Sequence, residues 1–288
     1  MIRFVSHANI DPGKWDECVR SSLSFSMYGL SWFLDAAHPG WNAIIMNDYE
    51  AVLVIPTSRK FCINYALNPL FIRDCGIYST RDLSDDEIKS MIHQIPLNYF
   101  KCELYIQQLP DEYRSSMRSY QCISLNYSFE ILKNEWNENT LRNINKAHRK
   151  GVEIIVDQDI DTVYQLFVTQ KLSEISTIKK NDAVILQSIM QSALKNTEAL
   201  VVKAFAGHQL LASALFMVDD QCVLFFKGAS TPLGKSSGAM HLIMAKMIEK
   251  YASSHRILDF GGSNVPSVAQ FYKGFGGKDI TYYSWKKN

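Results

Sequence analysis

Apolar and polar positions alternate along the chain in two ways: short β-rich runs, and longer stretches with helical spacing. Both are clearest in the second half. Residues 199–205 and 209–218 are apolar, β-rich runs separated by Ala206, Gly207 and His208, which predicts a hairpin. Asp219 and Asp220 turn the chain into a third strand at 221–227, and a loop at 228–237 leads into a helix at 238–253. Met240, Ile243, Met244, Met247, Ile248 and Tyr251 share one face of that helix and Lys246, Glu249, Lys250 and Ser253 the other, as expected of a helix lying on a sheet. A strand at 257–260, a Gly-Gly-Ser-Asn loop, a short helix at about 265–275 and a strand at 280–286 complete the half.

The first half carries a blurred version of the same order. Residues 42–46 and 51–56 flank Asn47 and Asp48 as a hairpin, further strands run through Ile77, 84–93 reads as helix and 100–107 as strand. A helix at 138–150, ended by Gly151 in the left-handed conformation, opens the second half. The pattern predicts an α/β (α+β) chain of two tandem domains, 1–130 and 131–288, each a mixed, mainly antiparallel sheet flanked by helices.

Composition narrows the possible functions. Of 288 residues 47% are hydrophobic and 20% charged, a globular balance. Thirty basic residues against twenty-nine acidic leave a formal charge of +1, so steering toward nucleic acid or a membrane is left to local patches. The most apolar stretch, 210–218, is broken by Ser213 and too short to span a bilayer, and residues 1–15 lack the apolar core of a signal peptide. A cytoplasmic protein without a membrane span is expected. Six cysteines without C-x-x-C or Cys/His spacing predict buried, reduced thiols, and the absence of H-E-x-x-H and G-x-S-x-G motifs leaves metal and serine-hydrolase chemistry unsupported.

Candidate chemistry concentrates in the second half, where nine of the fourteen glycines fall between Gly207 and Gly277. Gly234, Lys235 and Ser236 resemble the end of a P-loop, but five residues separate Gly228 from Gly234 and the loop follows an antiparallel meander. Amides at a helix start beside Lys235, Ser236 and Ser237 suit a phosphate, though a plain Gly/Ser connector has the same composition. Asp259, Phe260 and Gly261 spell the kinase metal-binding tripeptide, yet no H-R-D precedes it and only 27 residues follow. On the helix at 138–150, Arg142, Lys146, Arg149 and Lys150 form a basic stripe opposite Leu141, Ile144, Ala147 and His148. That stripe fits phosphates of a nucleotide-linked substrate or RNA, and equally a solvated face. Tyr272, Lys273, Tyr282 and Tyr283 are aromatic hydroxyls and a cation able to serve a site or to pack an edge.

Four segments together resemble the FemABX-like branch of the GNAT superfamily: LRNINKAHRKGV at 141–152, the loop and helix at 228–247, LDFGGS at 258–263 and FYKGFG at 271–276. The resemblance covers most of the last 150 residues, and the first half shares the family's element order. It implies two tandem GNAT-like domains, the first degenerate, and acyl transfer to an amine. The donor is aminoacyl-tRNA in Fem enzymes and acyl-CoA in other GNAT enzymes; either is a co-substrate, not a permanently bound cofactor. On this likeness the donor cradle comprises Lys227, Lys235, Ser236, Ser237, Gly238 and Ala239. Arg142, Lys146, Arg149, Gly262, Ser263 and Asn264 hold the acceptor, and Tyr272, Lys273 and Asp259 serve catalysis. The expected partners are a small-molecule or nucleotide-linked amine and tRNA, not DNA.

Where the family's terminal motif reads Phe-Lys, Phe271 is followed by Tyr272 and the lysine comes one position later, which counts against Fem-type peptidoglycan chemistry. The phosphate loop also departs from the GNAT pattern, so a ligand-binding protein that retains the fold without catalysis stands as the alternative. A bulky residue at Gly238 is expected to weaken donor binding and leave the fold intact.

Overall fold

The strands read from the apolar runs form at nearly the expected positions, and what the sequence leaves open is chiefly how they are paired. The computed structural model describes residues 1–171, 180–262 and 265–287. The chain divides into two units, Met1–Arg118 with Thr281–Asn288, and Ser119–Ile280.

The first unit contains β1 (Ile2–Val5), α1 (Pro12–Arg20), α2 (Ser31–Ala37), β2 (Asn42–Met46), β3 (Ala51–Ile55), β4 (Thr57–Lys60), β5 (Ile63–Leu67), β6 (Ile77–Ser79), α3 (Asp85–His93) and β7 (Tyr99–Ile106). β1, β2, β3 and β6 form an antiparallel sheet in that order. β4 pairs antiparallel with β5, β5 parallel with β7, and residues 283–286 antiparallel with β7. Local signals fix the helix starts. The Asp11 carboxylate accepts from the Gly13 and Lys14 amides, and Ser84 with Glu87 forms a capping box.

β8 (Ser116–Ser124) carries the chain into the second unit. There follow α4 (Phe129–Asn134), α5 (Glu138–Arg149), β9 (Val152–Asp157), α6 (Ile160–Gln170), α7 (Lys180–Asn196), β10 (Glu198–Ala206), β11 (Gln209–Val218) and β12 (Cys222–Ser230). α8 (Pro232–Ser237), α9 (Ala239–Tyr251), β13 (Ile257–Asp259), α10 (Pro266–Lys273) and β14 (Lys278–Lys286) complete the chain. β9 through β12 are an antiparallel meander, β13 lies parallel to β12, and β8 pairs antiparallel with β13. The core between the sheet and α9 includes Val202, Ala214 and Phe216 from strands and Ile243, Met247 and Ile248 from the helix, the face the periodicity assigns. Removal of these side chains from water supplies the main stabilising term.

Three expectations are corrected. Residues 228–237 are not a loop: β12 runs to Ser230, and Pro232 at the first helical position opens α8, whose first turn is capped by the Thr231 hydroxyl accepting from the Gly234 amide at 3.0 Å. His148 is exposed and does not share the buried face of α5, which consists of Thr140, Ile144 and Ala147. Cys62 is exposed, whereas Cys18, Cys75, Cys102 and Cys222 are buried free thiols; burial pushes the Cys18 thiol up to about 11. Among the described residues no helix is long and apolar enough to cross a membrane.

Candidate active site

The second unit holds a fork between two parallel strands. β12 and β13 pair only at Cys222 with Ile257, Val223 with Leu258 and Leu224 with Asp259. β12 continues through residues 225–230, while the chain leaving β13 bends through Phe260 and then Gly261 and Gly262, both at φ +75°. The Asp259 carboxylate, buried at the strand end, accepts from the Gly261 amide at 2.8 Å and fixes this bend.

Tyr272 of α10 fills one side of the fork. Its ring stacks on Phe260 with centroids 4.9 Å apart and meets Phe225 edge-on at 6.1 Å. Burial, with the Asp259 carboxylate adding to it, raises the Tyr272 phenol well above its ordinary value, so the group stays protonated. Lys227 occupies the other side. A bulge shifts the register so that Leu215 pairs with Lys227 and Phe216 with Phe225. Phe216 and Phe225 face α9, which places Lys227 on the opposite face, where α6 packs. Burial pushes its ammonium down to about 8, near neutrality, and the ammonium lies 4.6 Å from the centre of the Phe226 ring.

At the start of α9 lies a cavity of about 260 Å³ lined by Ser230, Lys235, Gly238, Met240, His241 and Phe271. Gly238, at φ +78°, joins α8 to α9 and offers no side-chain cap, so the first amides of α9 and the Lys235 ammonium form its electropositive end. His241 closes the apolar end. Its ring meets Phe271 at 4.8 Å, and burial holds its pKa down to about 4, so the imidazole is neutral.

The expected cradle is thus partly assembled. Lys235 and Gly238 line the cavity, but the Ser236 hydroxyl donates to the Leu233 carbonyl, the buried Ser237 hydroxyl donates to the Gly234 carbonyl, and Ala239 is buried. The two glycines are also packing sites. A Cβ on Gly234 would overlap the Leu211 carbonyl and one on Gly238 the Asn143 carbonyl, so the expectation that a bulky residue at 238 spares the fold does not hold. Lys273 does not join Tyr272; its ammonium pairs with Asp279 at 2.6 Å, and Asp279 also accepts from Gln121. Arg142 and Arg149 line a separate shallow cavity on α5 with Glu138, Asn145 and His148, and Arg142 is held by Asn139 at 2.7 Å, while Lys146 is half-buried. Gly262 sits at the fork bend, and Ser263 and Asn264 lie outside the described residues. His241 and Ser230 were not named as site residues from sequence, and Phe271 was named only as part of the FYKGFG segment; the one available signal was a histidine in the turn just after Gly238. Among the described residues no group of three or more His, Cys, Asp or Glu is placed to hold a metal ion.

No protein-family model and no curated protein matches the sequence. The fold does match solved structures. FemX superposes with a TM-score of 0.67 at 12% identity, over 95% of this chain and 96% of that one. A tandem GNAT protein from the clavulanic acid biosynthesis pathway superposes at 0.57 and 10%, over 100% and 98%. A conserved protein of unknown function from Bacteroides thetaiotaomicron VPI-5482 superposes at 0.63 and 9%, over the full length of both. This chain therefore has the mixed, mostly antiparallel α/β fold of tandem GNAT-like, FemABX-like proteins.

Proposed function

We propose that the second unit is the catalytic half of an N-acyltransferase that moves an acyl or aminoacyl group from acyl-CoA or aminoacyl-tRNA to an amine on a small-molecule or nucleotide-linked acceptor. The observation that carries this reading is the fork: two parallel strands part after three pairs, with a half-buried lysine on one side and a buried phenol on the other. An extended donor arm enters the gap of the fork, and the α9 cavity beside Lys235 takes the donor's phosphate. The acceptor amine must be neutral to attack the carbonyl. The tetrahedral oxyanion that forms needs a donor, and the leaving sulfur or oxygen needs a proton; the protonated Tyr272 phenol supplies either. Lys227, close to neutrality, serves as a hydrogen-bond donor to the same charge or as a base for the incoming ammonium. Arg142 and Arg149 are candidates for the acceptor's phosphates or the tRNA, with Gly262 at the bend, and Ser263 and Asn264 next to it in sequence, as further candidate contacts.

The engagement of Lys273 with Asp279 favours a second reading, a binding protein that kept the donor cleft without turnover. Titrating acetyl-CoA, CoA and charged tRNA by calorimetry, followed by a product assay with amine acceptors, separates the two. Donor binding with product supports the transferase, donor binding without product across the acceptor panel supports the binding protein, and no binding of any donor rejects both.

A further inference from the structure

The first unit presents a surface that its own folding does not explain. β4 and β5 are joined by a two-residue turn, Phe61-Cys62, with φ of 49° and 62°. Such turns favour Asn-Gly or Asp-Gly, because a larger side chain in the left-handed region is strained. Here the first position holds a phenylalanine that is 86% exposed, so the strain is not offset by burial. Pairing of Lys60 with Ile63 and Ser58 with Tyr65 puts Lys60, Ile63, Tyr65 and Leu67 on one face of the hairpin. The other face is packed: Ala66 is fully buried and the Thr57 hydroxyl bonds to Tyr99 Oη at 2.7 Å. Phe100, exposed on β7, brings its ring to 6.1 Å from Tyr65, and Leu97 just before β7 is 92% exposed. The Lys287 ammonium fixes the segment presenting Leu97 by donating to the carbonyls of Leu97 at 3.1 Å and Tyr99 at 3.0 Å. Lys60 and Lys101 are exposed beside these apolar groups, and the one neighbouring acid on β7, Glu103, is paired with Lys286 at 3.6 Å.

We infer that this hairpin face docks on an anionic phospholipid surface, with Phe61 entering the boundary between headgroups and acyl chains and Lys60 and Lys101 meeting the phosphates. Apolar tips rimmed by cations match that boundary in both polarity and charge. A single-stranded nucleic acid would use the aromatic rings and lysines, but Ile63, Leu67 and Leu97 offer a base no stacking face. A symmetric contact between two copies would bring the same cations together. The inference is independent of the acyltransferase reading, since every residue in it lies in the first unit.

Cosedimentation with vesicles tests it. The chain should sediment with equal-part phosphatidylglycerol and phosphatidylcholine vesicles, but not with phosphatidylcholine alone. Phe61→Asn relieves the turn, so it should raise the melting temperature while weakening vesicle binding about tenfold. Lys60→Gln and Lys101→Gln should each weaken binding about fivefold at low salt. Phe100→Ser provides an independent loss of binding should Phe61→Asn prove unstable. The inference is overturned if the parent chain ignores anionic vesicles, or if the apolar variants sediment as the parent does. It is equally overturned if the substitutions abolish oligonucleotide binding or reduce the solution mass while leaving vesicle binding unchanged.

Discussion

The carbonyl oxygen of Asn143 occupies the space in which a side chain on Gly238 would begin. Gly238 is left-handed and sits between α8 and α9, so α5 is locked against the turn at the mouth of the candidate donor cavity. Close approach of backbone to backbone, as well as any ligand, accounts for the glycine.

Gly238→Ala should therefore destabilise the protein by about 3 kcal/mol or more, combining left-handed strain with displacement of α5. Gly207→Ala, at φ +56° with open space around it, should cost only the strain, about 1 kcal/mol. Urea denaturation of both variants checks the order; equal losses would mean that the Asn143 contact is not limiting.

Tyr272→Phe keeps the ring stacked on Phe260 and edge-on to Phe225 and removes only the hydroxyl. Once a substrate pair is in hand, turnover should fall about 100-fold with little change in melting temperature. Lys273→Ala, which breaks an exposed pair with Asp279, should leave turnover unchanged. Normal turnover in Tyr272→Phe would confine that residue to packing.

His241 links stability to pH. Its ordinary pKa of 6.5 is held down to about 4 by burial, so between these values the unfolded chain takes up a proton that the folded chain refuses. Stability from this group is complete above pH 6.5 and is lost as the pH falls toward 4, by on the order of 1–3 kcal/mol. In His241→Phe the fall in melting temperature over that interval should shrink; an unchanged profile would place the sensitivity elsewhere.

Lys227 sets the other pH limit. With its pKa lowered from 10.5 to about 8, it is charged below pH 8 and neutral above. Affinity for an anionic donor should weaken as the pH rises through 8, and the break should vanish in Lys227→Met. Calorimetric titration at pH 7 and pH 9 reads both, and a break that persists in the variant removes Lys227 from the site.

How much of this was legible follows the range of the interactions. The meander at β10 to β12, the apolar face of α9 and the capping box of α3 depend on neighbours in sequence, and their patterns were readable. Thr231 followed by Pro232 was a readable helix start as well, but the glycines around it suggested a loop. The roles of Gly234 and Gly238 were hidden because Leu211 and Asn143, which exclude a side chain there, are distant along the chain. Tyr272 and Lys273 are adjacent in sequence yet point to different surroundings, since one helical step turns a side chain by about 100°. Only the position of the sheet tells which of them is buried. His241 gave no periodic signal, and Phe61 looks ordinary until the sign of its φ is known.

The division between the units falls inside two strands, β8 and β14, and not in a linker. The order of events on the ribosome follows from this. The first unit cannot close when its first 118 residues have emerged, because β7 still lacks its partner at 283–286 and the segment before β7 still lacks the Lys287 ammonium. The second unit, contiguous from Ser119 to Ile280, can reach its native pairing earlier. Synthesis from the N-terminus is thus answered by folding that finishes at the N-terminal unit. Nascent chains stalled before residue 283 should expose β7 to proteases while the meander at β9 to β12 is already protected.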